Sequence, residues 1–170
     1  MKKIIAFFAA IAFCARASAF DLLENVGDLL QFAVPAYALG MTMNEADWQG
    51  SRQFGYSYGA TMATTYVLKH IIRERRPNKV NYQSFPSGHT ASAFSGATFI
   101  HRRYGFRRAI VPYVLAGLTG ISRVESRWHY MDDILAAAAI AGIYSYFLAD
   151  YNVRVSPTDG GARLDFNIKF

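Results

Sequence analysis

Five windows without a single Asp, Glu, Lys or Arg divide this chain: residues 29–44, 53–68, 80–100, 109–122 and 134–149. They read as five helices, with Pro35 and Pro112 as kinks or first-turn residues. The third begins as loop, because residues 81–88 hold Pro86 and several turn formers. The fold class expected is therefore all-α, a helical bundle. At 170 residues the chain is one domain, long enough for a single core and too short for two.

What surrounds that bundle is a separate question. Most windows run 14 to 16 residues, short of the ~18–20 of a plain transmembrane span. Periodicity alone allows a bundle in water. Residues 134–149 point the other way, being apolar or small on every side, with Ala136 to Ala139 and Gly142 offering the close-packing surface of helices in lipid. Tyr144, Tyr146 and Phe147 suit an interfacial belt, and flanking Arg and Lys can snorkel to lengthen a span. The balance favours a membrane over water.

The first 19 residues read as an export signal: Lys2 and Lys3, an apolar run over 4–15, then Ala17-Ser18-Ala19 as a small-residue cleavage site. An uncleaved first membrane helix is the other reading. The domain would then occupy 20–150. Without the leader, 15 basic residues face 12 acidic ones, a surplus too mild for a nucleic-acid binder. Cys14, in the leader, is the only cysteine, so no disulfide or thiolate metal site can form. Residues 151–170 alternate apolar and polar around Pro157-Thr158-Asp159-Gly160-Gly161, the pattern of a short C-terminal β-hairpin.

Three stretches carry chemistry. Residues 122–133 read Ser-Arg-Val-Glu-Ser-Arg-Trp-His-Tyr-Met-Asp-Asp. On a helix His129 and Asp133, four apart, share a face, and the carboxylate would orient the imidazole as a nucleophile or base requires. Taken alone, such a pair is more often a surface ion pair or helix-start decoration. Lys69 and Arg76 lie seven apart and would share a helical face, with Pro77 following. Pro86-Ser87-Gly88-His89-Thr90 opens an apolar helix, where a hydroxyl and free backbone N–H groups converge as at an anion site.

Together these stretches resemble the type 2 phosphatidic acid phosphatase (PAP2) superfamily, which includes lipid phosphate phosphatases, bacterial nonspecific acid phosphatases and vanadium haloperoxidases. Its motifs Lys-x6-Arg-Pro, Pro-Ser-Gly-His and Ser-Arg-x5-His-x3-Asp occur here in order and without substitution. Only eight residues separate Pro77 from Pro86, little room for a substrate-selecting insertion. The resemblance implies that His129 attacks phosphorus and forms a phosphohistidine, with Asp133 orienting it and His89 acting as acid and then base. It also implies that Lys69, Arg76, Arg123, Ser87 and the Gly88 amide hold the phosphoryl oxygens, without metal or other cofactor. The family spacing selects Asp133 over Asp132. Arg73, Arg75 and Lys79 read as solvated or headgroup contacts, His70 and His101 as structural or interfacial, and Trp128 and Tyr130 as packing, with a wall of the site as their other reading.

If each window crosses a bilayer once, both motif loops fall on one side. The connection over 101–108, with four arginines, falls on the cytoplasmic side. The expected protein is a phosphatase of the bacterial inner membrane with a periplasmic site, acting on a phosphorylated lipid. The competing readings are a soluble periplasmic acid phosphatase acting on small phosphate esters and, more remotely, a vanadium haloperoxidase or a non-catalytic scaffold. Oligomeric state is not legible.

Overall fold

Three of the five windows lie wholly in helices that outrun them, and a fourth, 134–149, ends one residue past its helix. A computed structural model describes the backbone of residues 2–149, 151–158 and 161–168, and side-chain surroundings for residues 21–149. The helices are α1 (Lys2–Asn44), α2 (Trp48–Ile72), α3 (Gly88–Tyr104), α4 (Phe106–Glu125) and α5 (Met131–Leu148). The charge-free windows understate helix length, because the end turns carry charged residues. At 1.5 Å per residue α2 extends ~37 Å and α4 ~30 Å, both enough for a hydrocarbon core. Among the described residues α5 alone combines the length and the uniform apolarity of a membrane span.

The bundle is built with small residues inside and large ones outside. Central α3 packs against α1, α2, α4 and α5 through Ala91, Ala93, Ala97, Ser92, Ser95 and Gly96, all buried. At Gly96 a Cβ would lie 2.7 Å from the Val34 carbonyl oxygen, so only glycine lets α1 and α3 touch backbone to backbone. Bulk enters the core mainly at the far end of α3, where Phe99 and Ile100 meet Phe54 and Ala38. Leu29, Phe32, Val111, Val114, Leu135 and Ile143 are each more than half exposed. Burying one such side chain is worth about 2 kcal/mol. So many left outside make a surface suited to an apolar surrounding.

That far end is closed by ion pairing. Arg103, near the end of α3, donates from Nε and Nη2 to the two Asp47 carboxylate oxygens at 2.6 and 2.7 Å, and from Nη1 to Gln53 Oε1 at 2.7 Å. Tyr104 Oη and the Gly50 amide also donate to Asp47, each at 2.9 Å. These contacts hold the Asp47 carboxyl at a pKa of about 2, the Arg103 hydrogen bond contributing most.

Beyond α5, β1 (Tyr151–Thr158) and β2 (Gly161–Ile168) are assigned as antiparallel strands. Their side chains lie outside the described residues, and the all-α class rests on the helices. The leader and cleavage site expected at 1–19 fall likewise where side chains are not described, although α1 is helical from Lys2.

Candidate active site

The near end of α3 is where the three motifs meet. α2 stops at Ile72, and Arg73 turns the chain away in the left-handed conformation (φ 50°). The loop of residues 73–87 then closes on itself through Arg76 N–H to Asn81 O at 3.0 Å and Ser84 N–H to Glu74 O at 3.0 Å. It also bonds its neighbours, through Asn78 N–H to Arg127 O at 3.1 Å and Ser87 N–H to Asp133 O at 3.2 Å. Of four non-glycine residues with positive φ among those described, Arg73, Lys79 and Arg127 lie in these loops. Backbone strain is thus concentrated beside the site.

His129 and Asp133 do meet, but not on one face of a helix as their spacing suggests. α5 starts only at Met131, so His129 sits in the preceding turn. Asp133, in the first helical turn, points back over the helix end. Its Oδ2 accepts from His129 Nδ1 at 3.2 Å, Tyr130 N–H at 2.9 Å and Ser84 Oγ at 2.5 Å. Three donors on one oxygen fix the carboxylate, and the carboxylate keeps the His129 proton on Nδ1, leaving Nε2 with a free lone pair. His129 is 3% exposed. Burial, with smaller repulsion from Lys69 and Arg76, holds its pKa below the usual imidazole value, against the opposing pull of Asp133. Asp132 is exposed and makes no such contact. Ser84 escaped sequence reading because nothing local distinguishes it from the other turn residues.

Lys69 and Arg76 do not share a helical face either, since α2 ends between them. Arg76 lies in the loop, with Nε donating to Asn81 Oδ1 at 2.8 Å and the guanidinium 5.0 Å above the Trp128 ring. Lys69 Nζ donates to the carbonyls of Gln83, Ser84 and Pro86 at 2.9, 3.1 and 2.6 Å. It clamps the loop to α2 and lines a neighbouring hollow of about 610 Å³. Ser87 is buried as the N-cap of α3, its Oγ accepting from Thr90 N–H at 3.4 Å and Thr90 Oγ1 at 3.0 Å. Gly88 begins the helix, with the Lys69 Cε beside it.

A cavity of about 230 Å³ brings together Arg76, His89, Arg123, Trp128 and His129, with Glu24 and Asp28. The last two come from α1, outside all three motifs. Their only trace in the sequence is the polar stretch ahead of the first apolar window. Asp28 Oδ1 accepts from Arg123 Nη1 at 2.7 Å and His89 Nε2 at 2.9 Å. Glu24 accepts through its carbonyl from Arg123 Nη2 at 2.5 Å, and through Oε1 from Trp128 Nε1 at 2.7 Å. His70 and His101 are engaged elsewhere, by the Tyr66 carbonyl at 2.8 Å and the Tyr113 hydroxyl at 3.0 Å. No cluster of three or more His, Cys, Asp or Glu suited to a metal occurs among the described residues. An imidazole with a free lone pair, a second imidazole and two guanidiniums around one small hollow can bind an oxyanion and transfer protons to it.

Residues 51–155 match the PAP2 superfamily profile. That is well over half the chain. The chain belongs to the PAP2 superfamily. Among its PAP2 relatives, the lipid A 1-phosphatase of Porphyromonas gingivalis is 38% identical over 48% of this chain and 20% of its own length. The lipid A 4'-phosphatase of Helicobacter pylori is 29% identical over 74% of this chain and 68% of its own. The chain thus spans a fifth of the first relative and about two thirds of the second. The crystal structure of Aquifex aeolicus LpxE superposes with a TM-score of 0.57 at 19% identity, over 79% of this chain and 94% of that one. It supports the PAP2 fold for the helical bundle.

Proposed function

We propose that this chain is a metal-independent phosphatase that hydrolyses a lipid phosphate or diphosphate through a phosphohistidine, at the periplasmic face of a bacterial inner membrane. The observation that carries the proposal is the convergence of His129, locked by buried Asp133, with His89, Arg76 and Arg123 on one hollow. His129 Nε2 attacks phosphorus while His89 gives a proton to the departing oxygen. His89 then takes a proton from the water that cleaves the phosphorus–nitrogen bond. Arg76 and Arg123 hold the equatorial oxygens, where charge builds in the transition state. Lys69 holds in place the loop that carries Arg76, and Ser87 contributes by fixing the helix start that presents the Gly88 amide to the phosphate.

A lipid is favoured over a soluble ester by the large apolar side chains on the outside of the bundle. Lipid A phosphates come first among lipids because two of the relatives are named for them. The strand pair after α5 takes no part in this reading.

The test is phosphate release by the purified chain from lipid A, phosphatidic acid, a polyprenyl diphosphate and p-nitrophenyl phosphate, with vanadate as competitor. Wild type is expected to cleave at least one lipid, and His129→Ala none. Undiminished hydrolysis by the variant would remove the mechanism. Full activity after osmotic shock, without detergent, would favour the soluble periplasmic enzyme. Peroxide-dependent halide oxidation, or no activity at all, would point to the haloperoxidase or scaffold readings.

A further inference from the structure

His129 has its carboxylate partner four residues away; His89 has one 61 residues away. We infer that Asp28 of α1 is the positioning residue for His89, forming a second His–Asp pair that presents the acid nitrogen to the leaving group. The inference rests on the phosphatase reading above. His89 Nε2 donates to Asp28 Oδ1 at 2.9 Å, so the carboxylate fixes both the ring orientation and the tautomer. Nδ1 has no hydrogen-bond partner among the described residues, and the ring lines the cavity. It is therefore the nitrogen left to serve the substrate.

Asp28 is half exposed, yet it is not a loose surface acid. Arg123 Nη1 holds the same oxygen at 2.7 Å, and the guanidinium is itself fixed by the Glu24 carbonyl and, from Nε, by Ser122 Oγ at 3.1 Å. Its position also depends on a close approach of helices. A Cβ on Gly27 would lie 1.9 Å from Ser122 Oγ and 2.7 Å from Arg123 Nη2, so α1 reaches α4 only because residue 27 has no side chain. The charged and titratable groups around the His89 ring are Asp28 and Glu24 from α1, Arg123 from α4, and Arg76 and His129 from the motif loops. Of these, Asp28 alone is hydrogen-bonded to it.

In the first step the His89 imidazolium loses the Nδ1 proton to the leaving oxygen as the phosphorus–oxygen bond breaks, and keeps the Nε2 proton hydrogen-bonded to Asp28. In the second step Nδ1 regains a proton from the attacking water. Asp28 stays ionised throughout, orienting the ring and stabilising it while charged.

The experiment compares wild type, Asp28→Asn, His89→Asn and the double variant as full chains in mixed micelles, reading kcat/KM, which covers the step that expels the alcohol. Phosphatidic acid has a poor leaving group and needs the acid; p-nitrophenyl phosphate has a good one and does not. Asp28→Asn is expected to lower kcat/KM on phosphatidic acid by about 10²-fold, the low end of what a general acid contributes. On p-nitrophenyl phosphate the loss should be several-fold at most, and in the His89→Asn background Asp28→Asn should add nothing. Equal losses on both substrates, or additive losses in the double variant, overturn the inference. So does a lower KM with kcat kept, which would make Asp28 an occupant of the phosphate's place. If Asp28→Asn does not fold, Asp28→Glu keeps the carboxylate one methylene further out and should show the same asymmetry at smaller size; a symmetric loss is the overturning result. Wild type releasing phosphate from neither of these nor from lipid A or a polyprenyl diphosphate would instead sink the phosphatase reading itself.

Discussion

At each end of α3 an arginine faces an aspartate, and the two clusters are built for different ends. At the far end Asp47 accepts from Arg103 with both oxygens and from Tyr104 and Gly50 as well, while the remaining Arg103 nitrogen goes to Gln53. At the near end Asp28 offers one oxygen to both Arg123 and His89, beside a hollow that a second guanidinium and a second imidazole also line. A saturated ion cluster contributes cohesion and has nothing left to offer a ligand. A cluster whose guanidiniums and imidazoles still line a hollow can take on further hydrogen bonds when an anion arrives. The contrast separates a structural clasp from a candidate binding site without appeal to motif identity.

The largest effect expected in breaking this contrast is at the near end. His129→Ala should lower phosphate release by on the order of 10³-fold or more, with the thermal unfolding midpoint little changed. A comparable fall in stability would make His129 a structural residue. Arg123→Lys keeps the charge and loses the planar fork, and should reduce kcat/KM about 10²-fold in the same phosphate-release assay.

At the far end the sign reverses. Asp47→Asn should cost about 2 kcal/mol of stability in denaturant titrations and leave kcat of the folded fraction unchanged. Because the folded Asp47 pKa is about 2 against an ordinary value of 3.8, its contribution is fully present above the ordinary range. It is lost as pH falls from about 4 towards 2, and the variant should lack that loss. The mildest difference is in pH–rate profiles. Burial holds His129 below the usual imidazole pKa, so the acid limb of kcat/KM assigned to it should lie below pH 6.5. A limb above 6.5 would mean that Asp133 outweighs burial.

The sequence made some of this readable and hid the rest for physical reasons. Charge-free runs marked where helices lie, because burial and lipid both exclude isolated charge, but they missed end turns such as 69–72 and 123–125 that carry it. The His129–Asp133 partnership was legible from spacing, although the geometry behind it was not. Spacing assumed a continuous helix, while the chain uses a helix N-terminus, where a carboxylate folds back onto donors that precede it. The same assumption misplaced Arg76, since Arg73 adopts the left-handed conformation after α2 with no glycine to announce it. Asp28 and Glu24 were out of reach altogether. Their significance comes from packing between α1 and α4, about a hundred positions apart, and no local pattern records such a pairing.

Gly27 shows how far that packing extends the site beyond its chemistry. It bears no charge, donates nothing to substrate and lies in none of the motifs, yet a single methyl group there would collide with Ser122 and Arg123 and lever the first helix outward. On the proposed mechanism, silencing this protein therefore does not require touching any group that meets phosphate. A residue whose whole contribution is the room it leaves empty can separate an acid from the imidazole it steadies, while every hallmark of the fold stays intact.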